Sequence, residues 1–291
     1  MDEFNRQWIT DNSIEIISRY EDGVLTLRGL HYQLVSIGMT NSTQHYKRVV
    51  AAMIKARREG IVSYDAFSDH DREMIGSTEI SETILSDEIQ IGKEQIEAWM
   101  NNYAKNRWEN QPYYVEVFIE KKALQGVFKK PCQNNEVALG ACKGYPSLTF
   151  LNDTAKRFRD AYHEGKKLVI IYFGDYDPSG EDIPRSIEDN LSNDFGVDVL
   201  VHRVALLEQQ VIDWNLPPAP TKTGDSRSAN WDGLGQVELD AVTPEKLIEL
   251  CEDAISEFFD EDLYSELLEQ QSEEREEYRT ALRNFVNNLR E

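Results

Sequence analysis

The chain has 291 residues, of which 40% are hydrophobic and 29% are charged, and its formal net charge is −22. This composition excludes a disordered or fibrous protein, and three cysteines without a CxxC pair argue for a reducing compartment and against a zinc ribbon. No stretch approaches the roughly 18 apolar residues of a membrane helix, so we expect a cytoplasmic protein with no membrane partner. Because the net charge repels nucleic acid at long range, binding of a polyanion requires a local basic patch or a bound cation.

The first third of the chain predicts two helices followed by a wing. Thr26 is expected to cap the first helix, and Asn41 or Ser42 to cap a second that runs to Arg58. The segment IVSYDAF (61–67) suits a short strand pair, which would complete a winged helix-turn-helix. The second helix carries the basic cluster of this acidic chain: Lys47, Arg48, Lys55, Arg57 and Arg58. These cations can meet DNA phosphates, or they can form a solvated helix face.

The middle third alternates strand and helix patterns, which is typical of a parallel sheet. The expected strands are YYVEVFI (113–119), EVALGAC (136–142), KLVIIYF (167–173) and VDVLVHRVAL (197–206). The third of these is almost entirely apolar, as in a central strand buried on both faces.

The last part of the chain is the most acidic. Residues 245–291 hold 5 basic and 15 acidic residues, and apolar residues at helical spacing predict acidic helices there. Their polar faces are either solvated or dock a partner. We therefore expect an α/β protein with an N-terminal winged-helix domain (1–110), a Rossmann-like domain with a central parallel sheet (111–220) and a C-terminal helical extension (221–291).

Acidic residues follow two of the predicted strands. Glu120 ends the first strand, and Asp175 and Asp177 follow the third. Ligands bind at the carboxyl ends of parallel strands, and residues i and i+2 of an extended segment point the same way, so the three carboxylates can converge. Such a cluster suits a hard cation, above all Mg²⁺. The alternative is a capped turn, with Asp177 or Ser179 as the N-cap of the next helix.

These motifs, in this order, resemble the Toprim domain shared by topoisomerases, primases and related nucleases. The matching segments are VEVFIEKKAL with Glu120, CKGYPSL with Gly144, and YFGDYDPSG with Asp175 and Asp177, within residues 113–206. The resemblance implies that the two aspartates bind Mg²⁺, for which Mn²⁺ can substitute. It also implies that Glu120 completes the metal site and takes part in proton transfer at a sugar oxygen, with Lys121 beside it as a DNA contact.

Within Toprim proteins, the chain is similar to the A subunit of type IIB topoisomerases (topoisomerase VI), to the related transesterase that makes meiotic double-strand breaks, and to stand-alone bacterial and phage mini-A proteins. The KGYPS and DPSG segments, and a winged helix preceding the Toprim domain, support this resemblance. In RGLHYQLV, Tyr32 stands at the position of the family's nucleophilic tyrosine and Arg28 at that of its arginine, while Gly29 and His31 depart from the family pattern. The alternative for Tyr32 is a residue of the helix core.

The resemblance implies a homodimer that binds double-stranded DNA and, with Mg²⁺, attacks a backbone phosphate through Tyr32. The chain has no P-loop, so coupling to ATP would require a separate ATPase subunit. Two other functions stay open: a Toprim nuclease with water as nucleophile, and a non-catalytic DNA-binding component of a phage, plasmid or defence system. Lys222 and Arg227, in the loop PTKTGDSR, either contact phosphate or belong to an ordinary surface loop.

Overall fold

The computed structural model describes residues 4–20, 24–67, 84–218 and 235–288. The chain divides into two compact units. The first comprises Met1–Arg72 and Tyr113–Phe258, and the second comprises Glu73–Pro112 and Phe259–Glu291. The N-terminal helices and the sheet therefore belong to the same unit.

Three helices, α1 (Arg6–Ile17), α2 (Leu27–Ser36) and α3 (Thr43–Arg58), form the N-terminal part of the first unit. The predicted caps are confirmed. Thr26 Oγ1 accepts a hydrogen bond from the N–H of the third residue of α2, and Ser42 accepts one from the third residue of α3. The helices pack around a core that includes Ile9, Leu30, Leu34, Val49 and Met53.

The segment 61–67 does not form the predicted strand pair. Tyr64–Ala66 is a 3₁₀ helix, at whose start the Ser63 side chain accepts a hydrogen bond from the N–H of Asp65. Phe67 makes a single parallel β-bridge to Leu25 and is buried in the helix core. Because the local hydrogen bonds of this segment close a helical turn, they do not build the two-stranded wing expected at this place.

The predicted α/β architecture is confirmed. Four parallel strands form one sheet in the order β2-β1-β3-β4: β1 (Tyr113–Ile119), β2 (Ala138–Ala141), β3 (Lys167–Phe173) and β4 (Leu200–Ala205). The two central strands pair along their whole length, so that Ile119 lies opposite Phe173. Six of the seven residues of β3 are buried, which explains why its sequence is almost entirely apolar.

Helices cover both faces of this sheet, as in Rossmann-like folds. They are α5 (Gln125–Asn134), α6 (Leu148–His163), α7 (Pro178–Phe195) and α9 (Pro244–Ser256), while the short α8 (Glu208–Asp213) follows β4. On one face, Phe158 of α6 and Ile187 of α7 join a core with Tyr172. On the other, Phe128 of α5 packs against Phe173 with ring centroids 4.7 Å apart. The helices that follow β1, β2 and β3 thus begin near the carboxyl edge of the sheet.

The second unit contains α4 (Leu85–Asn101) and α10 (Glu261–Asn288). The Arg275 guanidinium donates to the Tyr103 carbonyl at 3.1 and 3.2 Å, and the Gln111 amide donates to the Asp260 carbonyl at 2.9 Å. Because α10 spans Glu261–Asn288, the acidic end of the chain is helical, as predicted. Among the described residues, no helix combines the length and the apolar character needed to cross a lipid bilayer.

Candidate functional site

Glu120 and Asp175 meet at the carboxyl edge of the sheet. They follow the neighbouring strands β1 and β3 directly, and Glu120 Oε2 accepts a hydrogen bond from the Asp175 N–H at 2.9 Å. The Tyr172 hydroxyl lies 3.5 Å from the same oxygen. Burial raises the pKa of the Glu120 carboxyl, and the charge of Asp177 raises it further. The sheet therefore brings the acids of both predicted motifs together.

Asp177 begins α7 as its N-cap. Its Oδ1 accepts a hydrogen bond from the Gly180 N–H at 2.7 Å, which satisfies one of the unpaired donors of the first turn. The capped-turn interpretation of this segment is thus realised. It does not displace the metal interpretation, because one carboxylate oxygen can cap a helix while the other binds a cation.

Asp175 is 7% exposed, and protein groups occupy both of its carboxylate oxygens. Its Oδ1 accepts a hydrogen bond from the Leu239 N–H at 2.8 Å, and its Oδ2 lies 3.0 Å from Lys121 Nζ. Burial raises the pKa of the Asp175 carboxyl to about 7, against the lowering effect of the Lys121 charge. Both oxygens of this predicted metal ligand are therefore engaged by the protein.

Two further acids, Glu238 and Asp240, complete the surroundings of Lys121. Lys121 Nζ lies 3.0 Å from Asp240 Oδ2 and 3.4 Å from Glu238 Oε2. Sequence reasoning missed both acids because they lie more than 60 residues beyond Asp175. A signal was present in VELD (237–240), where apolar and acidic residues alternate, and Val237 is tied to Tyr176 by a two-residue β-bridge.

The N-terminal helices contact the site through these same acids. Arg28 Nε donates to Glu238 Oε2 at 2.6 Å and its second nitrogen donates to Oε1, a bidentate pair. The Thr26 hydroxyl lies 3.2 Å from Asp240 Oδ1. Burial opposes ionisation of Glu238, but the hydrogen bond from Arg28 and the Lys121 charge outweigh it and lower the pKa of that carboxyl. Arg28, predicted as catalytic, is thus held beside the carboxyl edge of the sheet.

Tyr32 is 2% exposed and belongs to the buried face of α2. Burial and the charge of Glu238 raise the pKa of its hydroxyl, while the charges of Arg28 and Lys121 act in the opposite direction. Tyr32 therefore lies within electrostatic reach of the acidic site, although its side chain is largely shielded from solvent.

A small pocket beside Tyr32 contains orphaned polar atoms. It is lined by Arg28, His31, Tyr32, Asn41, Ser42, Thr43 and Tyr46. Within the part of the chain that the structure describes, the Tyr32 hydroxyl, His31 Nδ1 and Asn41 Oδ1 are buried without a hydrogen-bond partner. Such atoms are costly to leave unpaired, so the pocket suits a bound water or the oxygen of a ligand.

His31 gives this region a testable pH dependence. The ring is 3% exposed and packs against Tyr46, and burial lowers its pKa below the ordinary 6.5. The stability that comes from keeping His31 neutral is present above pH 6.5 and is lost as the pH falls, because the unfolded chain then binds a proton that the folded chain resists. In urea titrations, His31→Phe should therefore lose less stability than the wild type below pH 6.5. The same change at exposed His163 is the control, and an unaltered pH profile in His31→Phe would contradict the assignment.

The basic residues of α3 divide between two environments. Lys47, Lys55 and Arg58 are exposed on one face of the helix. Arg57 instead donates to the Met53 carbonyl and lies over the Phe67 ring, and Arg48 is partly buried. Three of the five predicted cations therefore form an exposed basic stripe, in which Lys55 Nζ lies 3.7 Å from Glu59 Oε1. Lys222 and Arg227 lie outside the described residues.

Glu120 and Asp177 each keep one carboxylate oxygen that could bind a cation. Glu120 Oε1 and Asp177 Oδ2 accept no hydrogen bond from the described residues, and Mg²⁺ is commonly held by one or two carboxylates with several waters. Residues 4–20, 24–67, 84–218 and 235–288 contain no group of three or more His, Cys, Asp or Glu side chains placed to hold a metal together. Of the three acids predicted as metal ligands, Glu120 and Asp177 therefore keep an oxygen free of hydrogen bonds from the described residues, whereas both oxygens of Asp175 are engaged.

Comparison of the chain with protein-family models and with curated proteins finds no match in either set.

Proposed function

We propose that this protein binds duplex DNA and cleaves it by Mg²⁺-dependent phosphoryl transfer, in the manner of a topoisomerase VI A subunit. It would act as a homodimer, and a separate ATPase subunit would be needed for ATP-driven strand passage. The observation that supports this best is the direct hydrogen bond between the Asp175 backbone and the Glu120 side chain at adjacent strand ends. It joins the two acidic motifs at the edge of a parallel sheet where ligands bind.

Glu120 and Asp177 are the residues that would hold Mg²⁺. A bound Mg²⁺ supplies positive charge that stabilises the developing charge on phosphoryl oxygens. Glu120, whose pKa is raised by burial, would exchange a proton with a sugar oxygen. Asp175 would orient the site through its hydrogen bonds to the Leu239 N–H and Lys121.

The exposed stripe of Lys47, Lys55 and Arg58 would bind the DNA backbone. Phosphate contacts position a protein on DNA without reading its sequence, and three cations on one helix face follow a strand of phosphates. In a chain of net charge −22, such a stripe offsets the general repulsion locally.

Tyr32 would be the nucleophile. A bond forms between its hydroxyl oxygen and the phosphorus, and the bond from phosphorus to the 3′ oxygen breaks. The phenolic proton passes to a base, and the departing 3′ oxygen takes up a proton, for which Glu120 would be the donor. The cut strand is left with its 5′ phosphate on Tyr32 and a free 3′ hydroxyl. The nearby Arg28 supports this role, because its guanidinium can bind phosphate oxygens once it releases Glu238.

The Tyr32→Phe variant tests this role directly. Its hydroxyl is buried without a partner, so its removal should leave the unfolding free energy unchanged or raise it by about 1 kcal/mol. Wild type, mixed with end-labelled duplex and Mg²⁺ and then denatured, should carry label with the protein, and Tyr32→Phe should carry none. Tyr46→Phe, which alters another tyrosine of the same pocket, is the matched control.

A nuclease that uses water as its nucleophile is the second candidate, and the burial of Tyr32 favours it. A side chain that is 2% exposed and has a raised pKa must be uncovered before it attacks DNA. This candidate predicts cleavage that persists in Tyr32→Phe and no label on the wild-type protein. Absence of cleavage with either Mg²⁺ or Mn²⁺, together with salt-sensitive DNA binding, would instead support the non-catalytic alternative.

A further inference from the structure

The Lys121 ammonium lies among three buried carboxylates. Its ammonium nitrogen is 3.0 Å from Asp175 Oδ2, 3.0 Å from Asp240 Oδ2 and 3.4 Å from Glu238 Oε2. An ammonium has three N–H donors, and here three carboxylates surround it. The lysine side chain is 26% exposed, so it belongs to the interior of the site more than to the DNA-binding surface.

The surrounding acids cannot remain ionised without a cation. Asp175, Glu238 and Asp240 are 7%, 8% and 3% exposed, and buried charges are strongly unfavourable unless they are paired. Arg28 pairs with Glu238, which leaves Lys121 to neutralise the other two. Removing Lys121 therefore leaves Asp175 and Asp240 to take up either a proton or another cation.

Lys121 also borders the acids that would hold Mg²⁺. It directly follows Glu120 in the chain, and it holds the one oxygen of Asp175 that the backbone of Leu239 does not. A divalent ion beside Glu120 and the Lys121 ammonium would repel each other. The ion could also bind the Asp175 oxygen only in place of Lys121.

We propose that Lys121 is an internal counter-cation that keeps Asp175 from joining Glu120 and Asp177 as a ligand of the divalent ion, and so limits the metal affinity of this site. The inference rests on the proposed function, since it assigns a metal to the same edge of the sheet. Lys121 is thus a positioning residue, which acts through Asp175, and it differs from a lysine that contacts the DNA backbone.

The test is Mn²⁺ binding to the full-length protein, measured by calorimetry without DNA. Lys121→Met should bind Mn²⁺ about tenfold more tightly than the wild type, because a competing unit charge is removed from the site. The matched control is Lys122→Met, which removes the same charge from the next residue. Lys122 makes no ion pair in the described part of the chain. A lysine with a purely structural role predicts the opposite sign, a loss of affinity in Lys121→Met.

A second pair of variants covers the case in which Lys121→Met does not fold. Asp240→Asn removes one acid of the cluster, and the double variant Lys121→Met/Asp240→Asn restores the net charge of the wild-type cluster. The double variant should bind Mn²⁺ more tightly than Asp240→Asn alone. Equal affinities within this pair, or within the pair of methionine variants, would overturn the role of Lys121.

The outcomes separate this inference from the proposed function. Equal binding of Mn²⁺ by wild type and Lys121→Met overturns only the counter-cation role. Binding by Lys121→Met but not by wild type supports that role and contradicts a metal-dependent wild-type activity. Absence of binding in every variant overturns both.

Discussion

Gly180→Ala should lower the unfolding free energy by about 3 kcal/mol, because the new methyl group has no space to occupy. A β-carbon built at Gly180 lies 2.1 Å from the Asp175 carbonyl oxygen and 3.0 Å from its carbonyl carbon. Both atoms belong to the Asp175 backbone, which hydrogen bonds on either side hold in place. The Gly180 N–H bonds to Asp177, and the Asp175 carbonyl accepts a hydrogen bond from Arg203 at 3.0 Å. To remove the clash, the connection between β3 and α7 would have to move, and the acids of the site would move with it.

Urea unfolding of Gly180→Ala and Gly92→Ala measures this effect against a matched control. Gly92 lies within α4, and a β-carbon there would meet nothing within 4 Å. Alanine is the better helix former, so Gly92→Ala should gain up to about 1 kcal/mol. Equal stabilities of the two variants would show that the close approach of Gly180 to Asp175 is not a constraint on this fold.

Asp177→Asn should reduce DNA cleavage about 100-fold or more while leaving the fold intact. Asparagine caps helices as well as aspartate does, so its oxygen can still accept the Gly180 N–H. The substitution removes the negative charge of Asp177, which lies close enough to Glu120 to raise the pKa of its carboxyl. The substitution thus separates the two roles that this residue combines.

Asp177→Ala completes the comparison. It removes both the cap and the charge, so it should lose about 1 kcal/mol of unfolding free energy in addition to activity. Initial rates of cleavage of a labelled duplex and urea titrations of the three proteins give both quantities. If Asp177→Asn cleaves as fast as the wild type, Asp177 serves only as a helix cap.

The contact between Glu120 and Asp175 is predictable from the sequence. The apolar runs before both residues indicate buried parallel strands, and neighbouring parallel strands end at the same edge. The relative orientation of Asp175 and Asp177 is not predictable in this way. The chain stays extended through Asp177, but the i, i+2 spacing does not specify the partners of each side chain: Asp177 caps α7, and Asp175 is engaged by Leu239 and Lys121.

The environment of Lys121 depends on contacts distant in the chain. Glu238 and Asp240 reach it from a segment that pairs with Tyr176 through a short bridge, and no local pattern specifies that pairing. Sequence alone therefore presents Lys121 as a surface cation. The expected wing fails for a local reason, since Ser63 caps a 3₁₀ turn that competes with strand formation.

Crystals soaked in Mn²⁺ provide the most direct test that the acids at this sheet edge bind a divalent ion. The account predicts an anomalous difference peak roughly 2.1 Å from carboxylate oxygens of both Glu120 and Asp177. A saturating soak that leaves no peak at the carboxyl ends of β1 and β3, with Glu120 and Asp177 ordered, would contradict it.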